Sequence, residues 1–340
     1  MNPGTDEQGA KVFALGDFRL QSGKVLADAK LVYQTYGSLA PDRSNVVLYP
    51  TSFGAQHSDT EWLVKAGGIL DSSRWFVVIP NMFGNGLSTS PSHLPPGSEF
   101  NVSHYDNVAA QDRLLGEVFG VQRLALVYGW SMGAQQAYHW AVIHPERVER
   151  IATLCGTART SEHNKLFLLS LQAALLADPA WDGNSFVATP ERGFRAFARI
   201  YASWAASQAF YRDGLYRQLG YRDLDDYLTR AWEPSYRRRH PADLLAMLGT
   251  WMACDVSDNP VHQGDLHEAL SSIRAKALVM PSTTDLYFPL EDCALDAAAI
   301  PDARLLPIPS IWGHRAGNPY QNPEDEAFIR AAIEDLMQQP

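Results

Sequence analysis

The sequence predicts a mostly parallel α/β sheet flanked by helices, interrupted once by an all-helical insertion. Three observations carry that prediction. Short apolar runs at Val46–Tyr49, Trp75–Pro80, Leu124–Tyr128, Arg150–Cys155 and Ala277–Met280 end in loops, as strands buried on both faces of a parallel sheet do. Helical spacing at Gln111–Phe119 and Ala134–Ile143 alternates with these runs. From about Thr160 to Cys254 the alternation stops. Lys165–Ala177, Glu191–Arg212 and Leu224–Trp232 have helical spacing, and nothing between them reads as a strand.

The remaining elements fall into that frame. Val25–Tyr36 alternates as an antiparallel strand does, and Arg304–Ile308 is a last buried-strand candidate. The division that follows is a core domain of residues 1–160 and 255–340 and an inserted helical lid of residues 161–254. A lid over the carboxyl ends of the strands would shape a pocket and exclude water.

Composition narrows the function classes. Of 340 residues, 46% are hydrophobic and 19% charged, which suits a chain with a large core and excludes a disordered one. The net charge of −10 disfavours a nucleic-acid partner. The one basic block, Arg237-Arg238-Arg239, reads as a solvated face near a helix end. Met1–Gln8 has neither a basic nor an apolar signal region, and no apolar run is long enough to span a bilayer. Cys155, Cys254 and Cys293 are odd in number and far apart, which fits buried thiols in a reducing cytoplasm. No H-x-H or C-x-x-C cluster is present, so no metal is expected.

The chemistry concentrates at Gly129-Trp130-Ser131-Met132-Gly133, a G-x-S-x-G between a predicted strand and a predicted helix. The glycines let the backbone turn sharply, and the turn lifts the Ser131 hydroxyl out of the core beside a helix N-terminus. A serine nucleophile needs a base and an orienting carboxylate. Asp285 lies just beyond the Ala277–Met280 strand and His314 beyond the next one, the order nucleophile, acid, base. Taken singly, Asp285 also fits a helix cap and His314 a surface loop. Asp255, Asp258 and His262 are rivals, but they precede the last strands. An oxyanion hole needs a second backbone N–H beside that of Met132, and Ser52, with Phe53 as the alternative, is placed for it in the loop after Val46–Tyr49. Gly84-Asn85-Gly86 lacks the third glycine of a dinucleotide loop and opens no first βα turn.

At these residues the chain resembles the homoserine O-acetyltransferase group of the α/β-hydrolase superfamily over nearly its whole length. The matching segments are Pro80–Pro91, Gly129–Ala137, Asp178–Gly183, Ala198-Arg199 and Ser282–Pro289. The resemblance implies the α/β-hydrolase fold, a helical lid, catalytic roles for Ser131, Asp285 and His314, and a homodimer formed through the lid. Two departures bear on the substrate. Members acting on homoserine usually follow the catalytic histidine with an aspartate that faces the substrate's ammonium group; here Arg315 follows His314. The arginine that would grip the amino acid's carboxylate is absent from Ile200–Ala206. The oxyanion loop reads Pro50-Thr51-Ser52-Phe53-Gly54 in place of His-Ala-Leu-Thr-Gly.

The function expected is therefore a cofactor-independent serine enzyme forming an acyl-Ser131 intermediate from a small ester or thioester, with hydrolysis favoured. The alternative is O-acetyl transfer from acetyl-CoA, as co-substrate, to homoserine or another alcohol. A non-catalytic small-molecule receptor on the same fold is the reading from another class. Arg315 is a candidate contact for a substrate carboxylate.

Overall fold

The computed structural model describes residues 4–5 and 9–339. The segment Met1–Gln8, read above for a targeting signal, lies outside the described residues apart from the backbone of its residues 4 and 5. The strands are β1 (Gly4–Thr5), β2 (Lys11–Arg19), β3 (Val25–Tyr36), β4 (Val46–Leu48), β5 (Phe76–Pro80), β6 (Leu126–Trp130), β7 (Arg150–Leu154), β8 (Lys276–Met280) and β9 (Ala303–Leu305). Among the described residues they form one nine-stranded sheet in the order β1-β2-β3-β5-β4-β6-β7-β8-β9. Pairing is antiparallel from β1 to β5 and parallel from β5 to β9.

Continuous apolar runs form these strands because both faces are covered. Val46, Val78, Val127, Ile151 and Val279 point into one core, while Val47, Val77, Leu126, Ala152 and Leu278 point into the other. Helices α1 (His104–Phe119) and α2 (Met132–Ile143) pack on the first side. Between β7 and β8 come α3 (Glu162–Leu176), α4 (Glu191–Ala205), α5 (Gln208–Arg212), α6 (Leu224–Tyr227), α7 (Glu233–Arg237), α8 (Pro241–Met252) and α9 (Leu266–Ser271). Then α10 (Leu290–Ala299) joins the first side and α11 (Pro323–Gln338) covers the second.

Several boundaries differ from the sequence reading, each for a physical reason. Helix α1 starts at His104, seven residues ahead of Gln111, because Ser103 and Asp106 form a reciprocal capping box. The stretch 191–212 is two helices. Ser207 caps α5 by accepting from Phe210 N, and its hydroxyl donates to Ile311 O. The break seats the chain against Gly313, where a Cβ would lie 2.8 Å from Ser207 N. The stretch 224–232 is α6 continued by a π-helical turn, Leu228–Trp232. Strand β2 had no reading at all, because its register shifts at Gly16 remove the simple alternation. No helix among the described residues is long and apolar enough to cross a membrane.

Candidate active site

Strand β6 delivers the chain to Ser131, which takes φ 58°, ψ −126°, and α2 starts at the next residue. A non-glycine residue in this region of backbone space is strained and marks a functional constraint. Room decides the neighbours. A Cβ on Gly129 would sit 2.1 Å from Gly133 O, and one on Gly133 would sit 2.7 Å from Pro50 O. A third glycine, not singled out from sequence, is equally required. A Cβ on Gly156 would lie 2.5 Å from Ala134 Cβ and 2.8 Å from Ser131 O. The signal was available in its place directly after β7, the strand beside the elbow.

Asp285 and His314 come together as the order of the chain suggested. His314 Nδ1 bonds Asp285 Oδ2 at 2.7 Å, and both side chains are buried. The other carboxylate oxygen accepts from the backbone N–H groups of Tyr287 at 2.8 Å and Phe288 at 3.3 Å. A buried carboxylate bonded on both oxygens is itself fixed in place and orients the imidazole. On its far side Nε2 is buried and has no hydrogen-bond partner among the described residues. A buried ring nitrogen left unpaired calls for an explanation, and a proton-transfer role supplies one.

Trp130, the variable residue before Ser131, ties the turn to this histidine. Its ring stacks on the imidazole at 5.0 Å, and its Nε1–H donates to His314 O at 3.1 Å. Sequence reasoning missed it, since a tryptophan in G-x-S-x-G carries no signal of its own. Gly317 is fixed by the same contact, because a Cβ there would lie 2.6 Å from Trp130 Cδ1. Tyr287 meets the imidazole edge at 4.6 Å and closes the cage.

Ser52 is beside the elbow. Its hydroxyl donates to Trp130 O and accepts from Gly133 N at 3.3 Å, so the side chain, and not only the amide considered above, braces the turn. The backbone N–H groups of Ser52, Phe53 and Met132 meet no acceptor among the described residues. They remain available to a ligand.

Cys155 lies behind the pair, with a ligand-type atom within 4.8 Å of those of Asp285 and His314. Burial, with Asp285 nearby, pushes its thiol well above the usual range, so it stays protonated. With Asp285 and His314 bonded to one another, the cluster is a hydrogen-bonded pair with a neutral thiol beside it. Two of the three rivals are engaged elsewhere: Asp255 pairs with Arg159 at 2.7 Å, and His262 bonds Asn259 at 3.1 Å.

Two arginines have defined surroundings. Arg315 Nη1 donates to the Tyr227 hydroxyl at 2.7 Å, and its guanidinium lies over Trp312 and Phe210 at 5.1 and 5.9 Å. The solvated face read for the arginine triplet holds for Arg237 but not for Arg239. The Arg239 side chain is 7% exposed and bonds both Gly54 O and Asp59. Its partners are distant in sequence, which is why composition near a helix end did not reveal it.

Comparison with known proteins agrees with this geometry. A family model described as the alpha/beta hydrolase fold matches residues 66–310. The chain is 35% identical over 308 residues to an ethyl acetate hydrolase of Pseudomonas veronii, covering 88% of this chain and 87% of that one. It is 30% identical over 335 residues to a homoserine O-acetyltransferase of Geobacter sulfurreducens, covering 88% and 90%. The solved acetyl esterase MekB superposes with a TM-score of 0.93 at 32% identity, over 97% of each chain. The strained serine at the end of β6, the buried Asp285–His314 pair and these likenesses converge: the chain belongs to the α/β-hydrolase family, among relatives that include esterases and homoserine O-acyltransferases.

Proposed function

We propose that the protein is a carboxylic ester hydrolase working through an acyl-Ser131 intermediate, with His314 as general base and acid and Asp285 as its orienting carboxylate. The observation that carries this reading is the unpartnered, buried Nε2 of His314, backed by Asp285 at 2.7 Å and stacked on the residue next to Ser131. Ser131 Oγ attacks the acyl carbon while its proton passes to His314 Nε2. The carbonyl oxygen takes up the negative charge and is held by the amides of Met132 and Ser52, with Phe53 as the alternative donor. Collapse breaks the C–O bond to the alcohol, which leaves with the proton from Nε2. Water then repeats the sequence on the acyl-enzyme: it gives one proton to Nε2, and Ser131 recovers it as the acid departs. No step needs a cofactor.

The same reading makes residues 161–254 a lid on a core of residues 1–160 and 255–340, since α3 to α8 are inserted between β7 and β8. Leu166 and Leu169, one turn apart on α3, are 60% and 49% exposed, which supports a homodimer formed through that lid. The three unpaired, buried cysteines support a reducing, cytoplasmic setting. Transfer of acetyl from acetyl-CoA to an alcohol is the second reading, favoured by the 30% identity to a homoserine O-acetyltransferase. Against homoserine itself stands Arg315, whose fixed positive charge would repel an ammonium group.

One product screen separates these readings. The enzyme is incubated with p-nitrophenyl acetate or acetyl-CoA, with and without homoserine and simple alcohols. Free acetate in every mixture is the expected result. An ester formed only when an alcohol is present would replace hydrolase by transferase. Failure of a fluorophosphonate to label Ser131 would remove both.

A further inference from the structure

We propose that Arg239, acting with Asp59, is a positioning residue that fixes the oxyanion loop from the side of the helical segment. The inference rests on the acyl-transfer reading above and adds to it a residue outside the triad. The loop of residues 50–56 has two anchors. Its first half is tied to the sheet and to α2: Met82 N donates to Thr51 Oγ1 at 3.0 Å, Gln136 Nε2 to Thr51 O at 3.0 Å, and Ser52 Oγ to Trp130 O. Its second half is tied to the end of α7. Arg239 Nε donates to Gly54 O at 2.8 Å, and Arg239 Nη2 donates to Asp59 Oδ2 at 2.8 Å. The same Asp59 oxygen accepts from Gln56 N at 2.9 Å, and Asp59 Oδ1 accepts from Arg238 Nη1 at 2.8 Å.

The unpaired amides of Ser52 and Phe53 sit between these anchors: the Ser52 peptide is held by Gln136 through Thr51 O, and the Phe53 peptide through Ser52 O, which accepts at 3.0 Å from Ala55 N of the Gly54 peptide that Arg239 holds. Gly54 has φ +65° and open space around it, with its nearest Cβ contact at 4.0 Å. Sterics therefore leave the peptide free to turn, and two bonds set it: Ala55 N to Ser52 O at 3.0 Å on one edge and Arg239 Nε to Gly54 O at 2.8 Å on the other. The Phe53 ring, stacked at 5.7 Å on Tyr201 of α4, completes the join between the loop and the helical segment. A cleft of about 150 Å³ opens beside the join, lined by Phe53, Gly54, Asp59, Trp130 and Arg238 among others. Asp59 and Arg238 of the cluster and Trp130 of the elbow thus line the same cleft. Arg239 with its rigid fork bonds a carbonyl and a carboxylate through separate nitrogens in fixed directions; a lysine offers a single, rotating ammonium in their place.

An oxyanion donor works only when it lies about 2.7–3.1 Å from the oxygen as charge develops, so a slack loop lowers kcat and leaves ground-state binding alone. The test compares Arg239→Gln, Arg239→Lys and Arg239→Ala with Arg237→Gln, an exposed partner of Glu191 on the same turn. Turnover of p-nitrophenyl acetate, the rate of fluorophosphonate labelling and thermal melting are measured on each. For Arg239→Gln we expect kcat and labelling rate to fall about 10–100-fold with KM within about threefold, since a displaced donor costs less than a deleted one. Arg239→Lys, which keeps the charge on Asp59 and protects the fold, should fall roughly 5–30-fold. Arg237→Gln should match wild type. Added guanidinium should restore part of the activity of Arg239→Ala. Lower melting temperature with unchanged kcat in the Arg239 variants, or a rise in KM alone, would overturn the clamp while leaving acyl transfer intact. Absence of Ser131 labelling in wild type would overturn the acyl-transfer reading, and the clamp with it.

Discussion

The sheet and the helical segment between β7 and β8 meet at the candidate site but are packed from different materials. Across β4 to β8 the buried residues are mostly Val, Ile, Leu and Ala, and the elbow they support is limited by backbone room. The helical segment is packed with rings. Phe197, Tyr201 and Tyr236 lie 4.8–6.0 Å apart, and Phe167 meets Tyr287, next but one to Asp285, at 4.6 Å. Aliphatic packing and glycine fix atoms to within tenths of an ångström. Rings fill volume and shape a chamber. The sheet and the oxyanion loop that follows β4, with the Arg239 contact to it, should therefore govern the rate of the chemical step, and the rings of the helical segment the fit of the substrate.

The sharpest break in that comparison comes at Ser131. Ser131→Ala should lower kcat about 10⁴–10⁶-fold if the three residues act as a unit, with melting unchanged. Turnover of p-nitrophenyl acetate beside a thermal melt measures both; near-normal turnover would reject the mechanism. Gly156→Ala comes next. Its methyl would press on Ala134 Cβ and Ser131 O, at a cost of roughly 1–3 kcal/mol and a displaced nucleophile. A fall in kcat of about 100-fold is expected, since misplacement of 1 Å can cost that much. Phe197→Leu in the aromatic stack should cost about 1–3 kcal/mol of stability, less than a truncation to alanine. It should raise KM while kcat stays within about threefold. A loss of kcat as large as that of Gly156→Ala would erase the division between the two regions.

The same contrast explains what the sequence disclosed. G-x-S-x-G was legible because steric exclusion leaves no alternative to glycine at 129 and 133. Asp285 and His314 were legible because β8 and β9 deliver them in a fixed order to one sheet edge. The helical segment gave its helices but not their breaks. Ala206-Ser207 turns to meet Gly313, more than a hundred residues on, and no local pattern encodes that contact. Arg239 was hidden in the same way: only the tertiary fold brings Gly54 and Asp59 to it. The start of α1 was hidden for a local reason, since Ser103 and Asp106 make the capping box with an aspartate in place of the commoner glutamate.

Smaller effects should come from buried titratable groups of the core. Burial pushes the Asp296 carboxyl on α10 up to about 7 from an ordinary 3.8. Between those values the folded chain keeps a proton that the unfolded chain has lost, so this contribution is full below about pH 3.8 and is lost as pH rises through 7. Asp296→Asn preserves an acceptor for Ala158 N and cannot ionise. It should be more stable than wild type at pH 8, by about 1–3 kcal/mol, and no more stable at pH 4. His104, pushed down to about 3 by burial against α2, acts in the opposite sense. Its contribution is full above about pH 6.5 and is lost as pH falls toward 3. Denaturant melts of the variant and wild type from pH 4 to 8 isolate the Asp296 slope, because the histidine term is common to both. Equal stability differences at pH 4 and 8 would show that Asp296 does not titrate in this window.

The smallest expected effect is none, and it tests the helical segment's part in acceptor choice. Replacing Arg315 by aspartate introduces the acidic residue that the resemblance to homoserine-acetylating enzymes implies at this position. Homoserine also needs its carboxylate held, and the helical segment offers no free arginine at the corresponding place. Arg199 is paired with Glu233 and lies 3.8 Å from Asp225, and Ile200–Ala206 has no basic residue. The aspartate would also replace a guanidinium that spans Tyr227, Trp312 and Phe210, leaving a shorter carboxylate among ring faces and a hydroxyl without its donor. Arg315→Asp should therefore hydrolyse p-nitrophenyl acetate within about threefold of wild type, because the Asp285–His314 bond does not involve residue 315. It should form no O-acetylhomoserine from acetyl-CoA. Product formation well above wild type in that single variant would mean that acceptor choice rests on the loop after His314 alone, and that the rings of the helical segment do not select the substrate.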